Sequence, residues 1–192
     1  MANYDFILAS ASPRRKQLLT DAGYKFKIVV SDIDESSFEN ENLSPAEFTK
    51  LLAVEKAKAV AKNYPETLTV GADTIVELNG KIYGKPVDAA HAERIVTDLF
   101  NSPHKVITAL ALIRIADKTE VVAIDTTIVY PKKMTKVQIA EHIKTATWQD
   151  KAGAYAIQET GDKFVEKIEG SLTNVMGMPM ELFARLFRQL KQ

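Results

Sequence analysis

The sequence predicts an α/β domain built on a mixed sheet, and three observations carry that prediction. Segments of helical and strand-like periodicity alternate along most of the chain. The β-rich run LTVGADTIVELNGKIYGKP is bent back on itself at Asn79 and Gly80, the pair that best tolerates the positive φ angles of a type I′ turn. A second β-rich pair, around Val106 to Ile115 and Glu120 to Tyr130, is split at Asp117 and Lys118. Helices between strands favour parallel pairing and hairpins require antiparallel pairing, so the sheet is expected to contain both.

The elements follow in order. Phe6 to Ala9 reads as a buried strand, and Ser12 and Pro13 as the N-cap and first residue of a helix whose inner face carries Leu18, Leu19 and Ala22. Phe26 to Val30 is a second strand. The acidic stretch SDIDESSFENEN after it has too few apolar residues to pack and is expected to be a solvated loop or flap. Ser44, Pro45 and Glu47 form a capping-box signature, with Phe48, Leu51, Leu52 and Ala59 as the apolar stripe of the helix that follows. Beyond the Asn79-Gly80 hairpin, Asp88 caps a helix reaching Phe100, and Thr135 opens another to about Lys144. A short strand near Phe164 to Ile168 precedes a terminal helix bearing Met180, Leu182, Phe183, Leu186, Phe187 and Leu190. With no linker, repeat or low-complexity tract, the 192 residues, 46% of them hydrophobic, are expected to form one domain over 1–192.

Composition narrows the chemistry. Lys and Arg together number 25, as do Asp and Glu, so no global basic field exists to hold nucleic acid or an anionic membrane. Any polyanion must be gripped locally. The absence of Cys excludes disulfides, thiolate metal sites and thiol catalysis. The N-terminus has no basic n-region and no apolar run approaches the roughly 20 residues of a membrane span. A cytoplasmic protein is the expectation.

The most informative stretch is SASPRR, Ser10 to Arg15. A helix N-terminus already concentrates positive potential, yet this helix opens with Arg14, Arg15 and Lys16. Small serines, free N–H groups and two guanidinium forks at a strand-to-helix junction make a phosphate cradle. It is not the Walker pattern, which needs GxxxxGK followed by Ser or Thr. The alternative is that Ser12 only caps the helix and the arginines are solvated.

Asp73 lies inside a run that otherwise reads as a buried strand, where an unpaired carboxylate is costly, so it needs a cation or metal partner. Strict hairpin register places Lys85 opposite Thr74, one step from Asp73. Asp73 and Lys85 then point to opposite faces unless a bulge at Gly84 turns them together. A structural ion pair closing the hairpin is the competing reading. On the capped helix, Glu55 falls within the apolar stripe and Lys56 at its flank. Inward-leaning charges imply a site beneath, and snorkelling to the helix edge is the alternative. Glu35 can offer oxygen to Mg²⁺ or Mn²⁺, or simply be solvated. His91, His104 and His142 lack zinc-binding spacing, and there is no GxSxG elbow. Gln158, after a small-residue segment, can read a base edge or be a buried amide satisfied by backbone.

Together ILASASPRR, DIDE, AVEKA, VGADTIV, GKP, HKVIT, DKAGAYAIQ and GSLTNVMGMP resemble the Maf family of nucleotide pyrophosphatases over nearly the whole chain. The resemblance implies a Maf/ITPase-like α/β fold, with an elongated mixed central sheet, helices on both sides and a cleft between two lobes. It also implies a homodimer in many members, and hydrolysis of a nucleoside triphosphate between its α and β phosphorus atoms with a divalent cation, Mg²⁺ or Mn²⁺. Carried over by motif, Asp73 is the water-activating residue and a metal ligand, with Glu35 contributing to the metal. Ser10, Arg14, Arg15, Lys56 and Lys85 handle phosphate. The combination Arg14, Thr74 and Gln158 is similar to the branch acting on dTTP and UTP rather than 7-methyl-GTP.

The chain departs from the family at Ser102-Pro103 and at Ala146, Thr147 and Trp148, which touch loops rather than charged residues. The family's link to cell division raises a second class of function, a nucleotide-binding regulator of septum formation with little turnover. A pure binder needs neither a metal-binding acid nor an embedded Asp. A third class, a nucleotidyl or phosphoryl transferase, differs by an acceptor other than water.

Overall fold

The computed structural model describes residues 4–38, 42–149, 151–155, 157 and 164–191. The first unit is β1 (Phe6–Leu8), α1 (Pro13–Asp21) and β2 (Phe26–Ile28). Ser12 caps α1 by accepting from the Arg15 N–H, with Pro13 in the first turn. A 3-10 turn at Glu35–Phe38 leads to α2 (Pro45–Ala61), whose capping box between Ser44 and Glu47 closes in both directions. Next come β3 (Thr69–Leu78), β4 (Lys81–Tyr83) and α3 (Ala89–Leu99). The β3–β4 turn has Asn79 at φ 53° and Gly80 at φ 82°, the positive pair that a type I′ turn demands. The chain continues through β5 (His104–Arg114), β6 (Thr119–Pro131), α4 (Lys136–Lys144), β7 (Val165–Glu169), α5 (Leu172–Val175) and α6 (Met180–Gln189).

These strands form one seven-stranded sheet in the order β2-β1-β3-β5-β6-β7, with β4 also paired to β3. β1 runs parallel to both β2 and β3, while β3–β4, β3–β5, β5–β6 and β6–β7 are antiparallel. The expected mixed sheet is therefore observed. Helices cover both faces. α2 lies on one, its Ala53, Ala57 and Ala61 against Ala109, Ala111 and Ile113. α1, α3 and α6 lie on the other.

On that second face there are two hydrophobic cores. One gathers Phe6, Leu8, Val70, Ala72, Leu110 and Leu112 under Leu19, Phe183 and Phe187. The other gathers Val76, Val106 and Val129 under Ala92, Ile95, Val96 and Leu99. Between them, Thr74 and Thr108 sit directly opposite each other on β3 and β5. This polar pair separates the two cores.

Two helix faces differ from expectation. Ala22 is exposed because α1 has ended at Asp21 and Ala22 is its C-cap. On α2 the buried residues are Thr49, Leu52, Ala53, Lys56, Ala57, Val60 and Ala61. Phe48, Leu51, Ala59 and Glu55 are only partly buried. The helix is rotated so that its smallest residues meet the sheet. A Cβ on Gly71 would lie 2.2 Å from the Ala53 carbonyl oxygen and 2.8 Å from the Ala57 nitrogen. Helix and strand backbones touch there, and room rather than hydrophobicity selects the inward face.

Candidate active site

β3 is paired with β5 along nearly its whole length, but its other edge is shared between two short strands. β1 takes Thr69 and Val70, and β4 takes Val76 to Leu78. Among the described residues the stretch 71–75 between them has no strand neighbour on that side. Into this opening come the end of β1, the first turn of α1, and Lys56 from α2. Where adjacent strands diverge, an open sheet leaves a crevice for a ligand.

On the α2 face of the opening, Asp73 is 6% exposed and Lys56 is 9% exposed. Lys56 Nζ donates to Asp73 Oδ1 at 2.6 Å and lies 2.9 Å from Glu35 Oε1, whose side chain is half exposed. A single ammonium thus joins a buried carboxylate to one brought by the acidic loop. Among the described residues the second Asp73 carboxylate oxygen accepts no hydrogen bond. The cation partner that the buried Asp73 required is Lys56, and the rotation of α2 explains why Lys56, rather than Glu55, points inward.

On the other face Arg15 is the centre. Its Nε donates to Gly177 O at 2.7 Å, Nη1 to Ser10 Oγ at 3.0 Å and Nη2 to Thr74 Oγ1 at 3.0 Å. Burial holds its pKa below the usual arginine value, with Asp73 and Glu35 opposing that and Arg14 adding to it. Among the described residues its hydrogen-bond partners are neutral, two hydroxyls and a carbonyl. A guanidinium carries five N–H donors, and with three spent here two are left for an anion. Ser10 Oγ accepts from both Arg15 and the Ser12 N–H. Both its lone pairs are engaged and its own proton has no acceptor among the described residues.

Arg14 and Lys85 form no hydrogen bond or ion pair among the described residues, Arg14 half-buried and Lys85 exposed. The β3–β4 ladder ends at Val76 and Tyr83, so strict register does not extend to Thr74 and Lys85, and no Asp73–Lys85 pair closes the hairpin. Gln158 lies outside the described residues. Among those residues no group of three or more His, Cys, Asp or Glu is placed to hold a metal. No helix among them is long and apolar enough to cross a membrane.

The residues that sequence reasoning did not single out are Thr108, Asn174 and Gly177. Thr108 carried the same signal as Asp73 in weaker form, a polar side chain inside the apolar run VITALAL. The two atypical loops are held locally. Ser102 O accepts from His104 Nδ1 at 3.3 Å, and Trp148 Nε1 donates to Ile143 O at 2.9 Å. A groove of about 270 Å³ lined by Tyr4, Asp5, Glu66, Arg114 and Lys191 shares no residue with the site. Its two cations already pair, Lys191 with Asp5 and Arg114 with Asp117.

A dTTP/UTP pyrophosphatase of Citrifermentans bemidjiense is 44% identical over 94% of this chain and 92% of its own length. One of Elusimicrobium minutum is 42% identical over 95% and 97%, and one of Bacillus cytotoxicus 43% over 97% and 94%. Among solved structures, the Staphylococcus aureus Ham1 protein superposes with a TM-score of 0.55 over 96% of this chain and 98% of that one, at 16% identity. That likeness concerns the fold alone. Residues 5–190 match the family described as Maf-like protein, and the chain belongs to the Maf family.

Proposed function

We propose that this chain hydrolyses nucleoside triphosphates, dTTP and UTP in particular, to the monophosphate and pyrophosphate. The observation that carries the reading is a division of charge at the β3 opening. A buried carboxylate held by Lys56 lies on one face, and a guanidinium with neutral partners and two unspent donors lies on the other. The first suits a water-activating group and the second a polyphosphate. Relatives that match nearly the whole chain carry the name dTTP/UTP pyrophosphatase.

In this reading Arg15 and Ser10 direct their free donors at the phosphate chain, with Arg14, Lys56 and Lys85 adding positive charge. Asp73 takes a proton from water as the water oxygen bonds to the α phosphorus. The α–β bridging bond breaks, and its electron pair leaves on pyrophosphate beside the basic side chains. Fixed charges of this kind supply much of the barrier reduction in phosphoryl chemistry.

The residues fit a divalent cation completed by substrate. Asp73 and Glu35 converge on one point, Asp73 keeps a free oxygen, and Mg²⁺ is usually held by one or two carboxylates plus phosphates and water. When bound, Mg²⁺ or Mn²⁺ supplies charge neutralisation for the triphosphate oxygens. Asp73 and Glu35 would hold it, with Lys56 beside them as a further positive charge.

On the base side, Gln158 offers a donor and an acceptor to the carbonyl and N–H edge of uracil or thymine, and Thr74 borders the base or sugar. The test is a panel of dTTP, UTP, CTP, GTP and 7-methyl-GTP with pyrophosphate and orthophosphate scored separately. Pyrophosphate release, fastest from dTTP and UTP, is expected. Orthophosphate as the product, or no turnover of any triphosphate, overturns the reading.

A further inference from the structure

We propose that Thr108 is a positioning residue that fixes the Thr74 hydroxyl as an acceptor, both toward Arg15 and toward the substrate, and so contributes to selection of the base. The proposal rests on the function proposed above and follows from counting protons. Thr108 is fully buried, and its Oγ1 lies 3.1 Å from the main-chain oxygen of Asn174. A carbonyl can only accept, so the single Thr108 proton is committed there. Thr74 Oγ1 lies 3.0 Å from Thr108 Oγ1, and the proton in that bond must therefore be that of Thr74. The guanidinium of Arg15 can only donate, and it does so to Thr74 at 3.0 Å. Three hydrogen bonds thus run in one direction, from Arg15 to Thr74 to Thr108 to Asn174, each polarising the next.

Both ends of this chain are tied to the same segment. Asn174 is fully buried, and its Nδ2 donates to Val106 O and Thr127 Oγ1, each at 3.0 Å. Three residues on, Gly177 O receives Arg15 Nε at 2.7 Å. Gly177 has φ 96°, and a Cβ there would come within 3.3 Å of Thr74 Oγ1. Asn174 to Gly177 therefore closes a ring through Arg15, Thr74 and Thr108 at the break between the two cores.

The consequence for a ligand is specific. With its proton committed inward, Thr74 has one lone pair left for the opening and no donor to offer. It matches a group that carries hydrogen, such as the imide N–H of uracil or thymine, and mismatches the bare ring nitrogen of cytosine. Removing the Thr108 hydroxyl frees the Thr74 proton to turn outward, and that distinction weakens.

The test uses purified full-length protein, with wild type, Thr108→Val, Thr108→Ser, Thr74→Val and the Thr74→Val/Thr108→Val double variant assayed on UTP and CTP. Thr108→Val is expected to lower kcat/KM for UTP about 3- to 10-fold and to narrow the UTP-over-CTP preference by a similar factor, the worth of one hydrogen bond. Thr108→Ser is expected to restore both. The double variant is expected to be no worse than Thr74→Val alone, because Thr108 acts through Thr74. If circular dichroism shows that Thr108→Val does not fold, Thr108→Cys keeps the volume with a weaker donor and is expected to shift both values in the same direction. Unchanged values, equal losses on UTP and CTP, or additive effects in the double variant overturn the proposal. Wild type that releases no pyrophosphate from UTP or dTTP overturns the functional reading instead.

Discussion

Lys56 and Asp73 face each other across the contact between α2 and β3, the ammonium donating to Oδ1 at 2.6 Å with both side chains nearly out of solvent. Such a pair is costly to break from one side only, because the surviving charge stays buried without its counter-ion. Lys56→Met is expected to lose about 3 kcal/mol of stability in urea denaturation. Lys56→Met/Asp73→Asn, which removes both charges, is expected to regain most of that loss. Equal midpoints for wild type and Lys56→Met would mean that the pair contributes nothing to the fold.

Asp73→Asn alone keeps the shape of the side chain and a hydrogen-bond acceptor for Lys56, but it is neither a base nor an anionic ligand. The protein is expected to fold and pyrophosphate release to fall by orders of magnitude, about 10²-fold or more for loss of a general base. Wild-type turnover in purified, folded mutant would remove Asp73 from the chemistry.

Chelation checks the metal. Asp73 and Glu35 alone make a sparse oxygen site that depends on substrate phosphates for completion. Excess EDTA is therefore expected to abolish pyrophosphate release, and added Mg²⁺ or Mn²⁺ to restore it. Undiminished activity in EDTA would refute the role given to Glu35 and Asp73 as ligands.

Gly71 tests how the fold aims Lys56. A Cβ at that position meets the Ala53 carbonyl oxygen at 2.2 Å and the Ala57 nitrogen at 2.8 Å, both backbone atoms that cannot swing aside. Gly71→Ala must lift α2 off β3, and overpacking of this kind costs about 3 kcal/mol. For a chain of this size that is a fall in Tm of roughly 6 to 12 °C. Lys56 rides between Ala53 and Ala57, so the surviving folded fraction is also expected to hydrolyse UTP more slowly. An unshifted Tm would show that the helix has slack against the strand.

What the sequence revealed divides along physical lines. Asn79-Gly80, the Ser44–Glu47 capping box and the Ser12-Pro13 helix start were legible because each is fixed by local backbone chemistry. Asp73 and the arginines of SASPRR were legible because charge stood where strand or helix physics disfavours it. The phase of α2 was not, since Ala-rich sequence offers apolar residues on several faces and the choice is made by Gly71 on a distant strand. Lys85 was placed by extending a ladder that in fact ends at Tyr83. Thr108 escaped because threonine is an ordinary strand residue, and its meaning depends on Thr74 lying opposite and Asn174 arriving 66 residues later.

The last prediction concerns His104, which is 2% exposed at the start of β5. Its Nδ1 lies 3.2 Å from Leu99 O and 3.3 Å from Ser102 O, both acceptors, so the neutral ring carries its proton on Nδ1. Nε2 then accepts from the Tyr155 hydroxyl at 2.7 Å. Burial pushes the Tyr155 pKa up and keeps that phenol protonated. Protonating His104 would place a second N–H against this donor, in a site with little water. Burial accordingly lowers its pKa below the ordinary 6.5, against the pull of the two carbonyls. The folded chain thus resists a proton that the unfolded chain accepts. This contribution to stability is complete above pH 6.5 and is lost as pH falls from there through the folded-state pKa. The loss can reach at most about 1.4 kcal/mol per pH unit for one proton. The check is the unfolding free energy of wild type minus that of His104→Gln from pH 8 to 5, a difference in which the other titrating groups cancel. The difference is expected to be flat above pH 6.5 and to fall below it. Parallel profiles across the whole range would mean that His104 takes up its proton equally in both states.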